Sequence, residues 1–303
     1  MSNTIFLASE IEQPDYHKAL FHIVPVPYEH SVSYGEGTEQ GPSSILKASS
    51  QLETYDQLGG EPHEDGIYTH SDIDCRGDAI DVMQRIRQVT HIITEAGKIP
   101  FVLGGEHSIT FGAVMGVVDA HPNEAIGVIQ FDAHADLRES YEGSIWSHAC
   151  VMKRLTDEGL RIFQLGIRAI SMEEIAVRHQ FPHQIQYIDA KILCNPPQHQ
   201  FQLPDDFPQK VYITVDIDGL DGAIMPATGT PVSGGLGWWQ LIDLLSSIAE
   251  QRQIVGMDLV EFAPIANHHA YDFAAADLAY KMMGIVSRSP LTNKYLFYSQ
   301  FLL

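Results

Sequence analysis

"AIGVIQFDAHADLR", residues 125–138, passes through an apolar, β-branched run and then sets Asp132, His134 and Asp136 at every second position. Side chains two residues apart in extended backbone point the same way. The three can therefore converge on one centre just past the end of a strand. A strand apolar on both sides that turns abruptly polar is the pattern of a parallel sheet covered by helices on both faces, where ligands bind outside the carboxyl ends of the strands. Runs of the same kind recur in "IPFVLGG", "RIFQLGI", "IQYID", "KVYITVD" and "QIVGMDLVE". Between them lie helical patterns. "AIDVMQRIRQVTHIITEAG" carries Val82, Met83, Ile86, Val89 and Ile93 at spacings of three and four and ends at Gly97. "SITFGAVMGVVDAH" has Ser108 as its expected N-cap. "WWQLIDLLSSIAEQ", with Trp238 and Trp239 packing its start onto the sheet, and "DFAAADLAYKMMGIVSR" complete the set. Residues 57–75, rich in turn formers and acids, read as a long loop. The alternation predicts an α/β fold with helices on both faces of a parallel sheet.

The 303 residues are 45% hydrophobic, enough for a large core, and no apolar run approaches the ~20 residues that span a bilayer. The N-terminal stretch lacks the basic and apolar regions of a signal peptide. Cys75, Cys150 and Cys194 are scattered, with no Cys-x-x-Cys spacing, which fits a reducing cytoplasm. The formal charge of −21 disfavours nucleic acid and anionic membrane as partners and favours small cations or metal ions.

The strand ends hold the chemistry. After "IPFVL" comes "GGEHS" with His107; after "AIGVIQF" come Asp132, His134 and Asp136; after "KVYITV" comes "DIDGLD" with Asp216, Asp218 and Asp221; after "QIVGMDLV" comes Glu261, and "WSHAC" supplies His148. Four carboxylates at close range repel unless some take up protons. Two divalent ions would balance Asp132, Asp136, Asp216 and Asp218, and a mixed His and carboxylate set suits Mn, Fe, Ni or Zn. Six ligands over two ions require sharing, so one or two Asp would bridge. A water held between such ions becomes a nucleophile near neutral pH. Cys150 has no neighbouring base and reads as buried and inert, and the other histidines show no ligand spacing.

Taken in order, "GGEHS", "FDAHAD", "SHAC", "VDIDGLD" and "DLVEFAP", with the early "SYGEGTEQGPSSILKAS", resemble the motif set of the ureohydrolase family of arginase, agmatinase and formiminoglutamase. The resemblance covers nearly the whole chain. It implies one domain over residues 1–303, a three-layer α/β/α sandwich with a mainly parallel eight-stranded sheet, and two Mn ions, with Ni or another divalent ion as the alternative. It implies that His107, Asp132, Asp136 and Asp216 hold one ion and Asp132, His134, Asp216 and Asp218 the other, with Asp132 and Asp216 bridging. By the same carry-over, Asp136 bonds the nucleophile, His148 shuttles a proton and Glu261 grips a guanidinium. The expected reaction is hydrolysis of a guanidino compound to urea and an amine by a trimer or hexamer.

Beyond Asp136 the chain reads "LRESYEGSIWS", where an arginase would carry small polar groups for its amino acid. Leu137, Arg138, Glu139, Tyr141 and Glu142 look more like an agmatinase, with Arg138 and Glu139 expected at the substrate. Agmatine is therefore the expected substrate. N1-aminopropylagmatine, guanidinobutyrate, guanidine and arginine stay open, as do a catalytically silent binding subunit and a one-zinc deacetylase of related fold. Two departures from the family pattern, Gly222 after Asp221 and Ala263 after Glu261-Phe262, touch the surroundings of the site.

Overall fold

Alternate residues of the central strands feed two separate apolar layers. Phe101 and Leu103 join one cluster while Val102 joins the other, and Ile129 and Phe131 are divided from Val128 in the same way. Such a sheet is buried on both faces, which is why its strands read as unbroken apolar runs. The computed structural model describes residues 4–292. In chain order these form β1 (Phe21–Val26), α1 (Gly41–Ser49), β2 (Ile67–Thr69), α2 (Ala79–Glu95), β3 (Ile99–Gly104), α3 (Thr110–Asp119), β4 (Ile126–Phe131) and α4 (Val151–Asp157). There follow β5 (Arg161–Leu165), α5 (Met172–Gln180), β6 (Ile185–Ile188), α6 (Ala190–Leu193), β7 (Lys210–Asp216), α7 (Trp238–Gln251), β8 (Gln253–Val260) and α8 (Ala270–Arg288).

The eight strands make one sheet in the order β2-β1-β3-β8-β7-β4-β5-β6. Every pairing is parallel. In α2, Val82, Met83, Ile86 and Ile93 face the sheet, and Gly97, at φ 71°, ends the helix in the left-handed conformation that glycine adopts without penalty. On the opposite face, Leu241, Leu244, Leu245 and Ile248 of α7 pack with Ala275, Leu278, Met282 and Met283 of α8.

Three local expectations are corrected. The 57–75 segment is not all loop, because Ile67–Thr69 pairs with β1 as the sheet's edge. Three residues are too few to show a period, and an edge strand needs only one neighbour. Ser108 does not cap α3: it lies inside a tight turn, His107–Ile109, and its Oγ donates to Glu106 Oε1 at 2.5 Å. Of the tryptophan pair, Trp238 packs on the core while Trp239 is 47% exposed.

The turn after β3 leaves no room for a side chain at Gly105, where an added Cβ would lie 2.0 Å from the Tyr28 carbonyl oxygen. The same peptide is tied on both sides, the Gly105 N–H donating to Val26 O and the Glu261 N–H to Gly105 O. Gly105→Ala is expected to cost at least ~3 kcal/mol, in the range of severe steric changes. Calorimetry showing an unchanged melting temperature would refute that account.

Candidate metal centre and its cavity

The strands whose ends carry the candidate ligands are consecutive in the sheet. His107 follows β3, Glu261 follows β8, Asp216 and Asp218 close β7, and Asp132, His134 and Asp136 follow β4. Parallel pairing puts all four ends on one edge, so residues far apart in the chain meet there.

His107 Nδ1 lies 3.1 Å from Asp132 Oδ2, 2.9 Å from Asp136 Oδ2 and 3.5 Å from Asp216 Oδ2. Yet this buried nitrogen makes no hydrogen bond of acceptable geometry with any of them. A nitrogen surrounded by carboxylate oxygens but bonded to none has the posture of a metal ligand. Its other ring nitrogen, Nε2, is held at 2.8 Å by Thr214 Oγ1, which fixes the ring as outer partners of metal-binding histidines do. His134 Nδ1 sits 2.9 Å from Asp218 Oδ2 and 3.7 Å from Asp132 Oδ1. Among the described residues two groups could each hold a metal ion, His107 with Asp132 and Asp216, and Asp132 with His134 and Asp218. Asp132 is common to both.

Electrostatics point the same way. Burial and then the neighbouring Asp132 push Asp136 up to about 7, and burial pushes Glu261 up to about 8. Asp216 is raised well above the carboxylate range by burial and by Asp218 and Asp132. Burial opposes a charged His134, but Asp132 and Asp218 overcome it and push the imidazole up to about 12. A cluster that must hold protons to stay buried is one that two divalent cations would satisfy. The donor set of imidazole and carboxylate fits first-row divalent ions.

Sequence reasoning missed the groups that orient these ligands. Gln130 Nε2 donates to Asp132 Oδ2 at 2.7 Å, Gln164 Nε2 to Gln130 Oε1 at 2.6 Å, and Arg178 Nε to Gln164 Oε1 at 3.0 Å. Arg168 clips the loop after β7 through the carbonyls of Asp218 and Leu220. Asp221 is a turn former, accepting from the N–H groups of Ala223 and Gly235. Glu106, wholly buried, accepts from the His30 and Ser31 N–H groups and the Ser31 and Ser108 hydroxyls.

A cavity of about 380 Å³ opens onto this centre, and Asp136, His148, Asp216, Asp218 and Glu261 all line it. Glu261 Oε1 accepts from the His107 N–H at 2.6 Å. Burial holds the His148 imidazole below its ordinary value, so it is neutral at pH 7. Its Nδ1 meets Ser31 Oγ at 3.2 Å, and Tyr141 packs edge-on against the ring. Arg138 lines the cavity with its guanidinium 5.3 Å above the Tyr141 ring. Glu139 does not line it; its carboxylate pairs with Lys153 and Arg154 at 3.0 Å each. Leu137 is fully buried among the core residues on the α2 side and reaches no substrate. Cys150 is buried, its thiol pushed up to about 11 by burial. The Ala263 N–H donates to Ala227 O and Gly222 N–H to Val232 O, so both departures sit in ordinary backbone pairing.

Comparison with known proteins gives consistent matches. The arginase family matches residues 19–284. The chain is 38% identical over 289 residues to an N(1)-aminopropylagmatine ureohydrolase of Synechocystis sp., covering 92% of each. It is 31% identical to an agmatinase of Pyrococcus horikoshii, covering 92% of this chain and 96% of that one. The crystal structure of agmatine ureohydrolase of Thermoplasma volcanium superimposes with a TM-score of 0.81 at 30% identity, covering 95% of each chain.

Proposed function

We propose, for a chain that belongs to the arginase family and hydrolyses a guanidino C–N bond, that its substrate is agmatine, cleaved to urea and putrescine. The observation that carries this reading is Glu261. Its buried carboxylate stands on the cavity wall and accepts a backbone N–H, that of His107, rather than pairing with a lysine or arginine among the described residues. A guanidinium is planar and cationic and offers two parallel N–H donors to one carboxylate. The cavity wall includes small or apolar residues, Val32, Gly35, Ala169, Ile170 and Gly229, suited to a polymethylene chain, beside the polar Arg138, Ser171, Glu174 and Thr228. Agmatine rather than arginine is supported by the names of the relatives, among them an agmatinase at 31% identity and an agmatine ureohydrolase structure at 30%.

His107, Asp132, Asp136 and Asp216 would hold one ion and Asp132, His134, Asp216 and Asp218 the other, Mn first and Ni as the alternative. When bound, a divalent pair acidifies a water and so supplies a nucleophile at neutral pH. The side chains do the rest. Glu261 orients the guanidinium, and Asp136 accepts a hydrogen bond from the attacking water. His148, neutral at rest, takes up a proton and passes it to the departing amine. The three free thiols fit a reducing cytoplasm, the family match over residues 19–284 supports a single domain, and the assembly is read as a trimer or hexamer by likeness to the family.

A second reading, N1-aminopropylagmatine, is favoured by the names of the Synechocystis relative and of a Thermus thermophilus relative at 36% identity. Urea release from agmatine, N1-aminopropylagmatine, guanidinobutyrate, arginine and guanidine, with added Mn and separately Ni, tests both. Agmatine is expected to exceed arginine in kcat/KM by at least ~10²-fold, the scale of discrimination a built pocket reaches. Preference for arginine would overturn the proposal, and preference for guanidinobutyrate would make Arg138 a carboxylate clamp instead.

A further inference from the structure

His148 moves a proton in the reaction proposed above, and which of its nitrogens carries that proton depends on residues outside the ligand motifs. The side chain lines the cavity, while Nδ1 points away to Ser31 Oγ at 3.2 Å. The same oxygen accepts the backbone N–H of His148 at 3.0 Å and lies 2.8 Å from Glu106 Oε1. A serine hydroxyl has one proton to give and two lone pairs to receive with. A carboxylate only accepts, and Glu106 meets donors on both oxygens: the His30 and Ser31 N–H groups on Oε2 at 2.6 Å each, and the Ser31 and Ser108 hydroxyls on Oε1. The Ser31 proton therefore goes to Glu106. One lone pair is occupied by the His148 N–H, and the other is left for Nδ1, which must donate.

We propose that Glu106 and Ser31 are positioning residues that hold neutral His148 in its Nδ1–H tautomer, so that Nε2 faces the cavity as the nitrogen that gains and gives the catalytic proton. The histidine's other hydroxyl neighbour, Ser147 Oγ, is 3.4 Å from Nδ1, at the outer limit of a hydrogen bond. Ser31 is thus the stronger director. Glu106 directs the proton of Ser31 and is itself saturated by four donors, including Ser108 Oγ, which leaves it no freedom to reverse the relay. The arrangement resembles the logic by which a buried carboxylate sets the tautomer of a catalytic histidine, with a serine interposed. It rests on the functional reading only for the word catalytic; the tautomer itself is a property of the side chains.

The test is long-range proton–nitrogen NMR of the imidazoles in full-length protein loaded with diamagnetic Zn2+ at pH 8, with His148 assigned by the loss of its signals in His148→Gln. The expected spectrum shows a protonated Nδ1 and a bare Nε2. Ser31→Ala is expected to yield a mixed or reversed tautomer, Ser31→Thr to restore the original, and Ser147→Ala to leave it unchanged. On the best substrate of the panel, Ser31→Ala should lower kcat ~10-fold or more with KM within ~2-fold, as expected when a general acid is misdirected but present. Ser31→Thr should recover most of that loss. A bare Nδ1 in the native protein, or a tautomer controlled by Ser147 instead, overturns the proposal. The spectra decide this even if none of the guanidino compounds is hydrolysed, so failure of the substrate reading stays distinguishable.

Discussion

Replacing His134 by alanine is expected to remove about one metal ion per chain and to lower urea release at least ~10³-fold, while the protein stays folded. The loss of activity follows from the scale of metal catalysis: several kcal/mol of stabilisation is three decades or more of rate. The retained fold follows from what His134 does not do. Its ring is half-buried at the cavity, with Nδ1 facing Asp218 and Asp132, and it belongs to neither apolar layer, so truncation opens no void in them. Its backbone keeps the structural duties. The N–H donates to Asp132 Oδ1 at 2.6 Å, and the residue bridges to Ala169, both of which survive in alanine. Elemental analysis of dialysed protein, a urea assay and a thermal melt together separate the outcomes. Two ions per chain with full turnover would remove His134 from the centre.

How far the site could be read from the sequence depends on backbone conformation. Past Phe131 the chain bends at Ala133 and His134 bridges to Ala169, yet Asp132, His134 and Asp136 come together as the every-second-residue rule has them. At Asp136 the backbone turns to φ 53°, a left-handed value rare outside glycine. That reversal breaks the alternation. Leu137 goes into the core, Arg138 returns to the cavity, and Glu139 swings to Lys153 and Arg154, so of the five residues read beyond that point Arg138 and Tyr141 line the cavity and Leu137, Glu139 and Glu142 do not. Glu261 has the same kind of backbone, at φ 60°. Strain of this sort, on the order of 1–3 kcal/mol, gathers at functional sites, and no composition signals it. Gln130, Gln164 and Arg178 were illegible for another reason. Each is an ordinary polar residue, and only the sheet order brings β4, β5 and α5 together to make a chain of them.

Stripping the divalent ions with a chelator is expected to lower the melting temperature by an amount that grows as pH rises from 5.5 to 8.5. In the metal-free protein Asp136 at about 7 and Glu261 at about 8 bind protons more tightly than the unfolded chain does, whose carboxyls titrate near ~4. The native state is therefore favoured by these groups fully below pH ~4, and the advantage is lost as pH rises through about 7 and about 8. His134 acts with the same sign, its contribution present below pH ~6.5 and lost toward about 12. Metal binding runs the opposite way, because imidazole and carboxylate must be unprotonated to ligate, so affinity strengthens with pH. Each ion at a thousandfold excess over its Kd adds ~4 kcal/mol. At ~2–4 °C per kcal/mol, two ions separate the melting temperatures by ~10 °C or more at the alkaline end. The two curves should approach one another near pH 5.5, where protons replace the ions as counter-charge for the same buried carboxylates. A separation that stays constant or narrows with rising pH would mean that the cluster is not neutralised by metal at all.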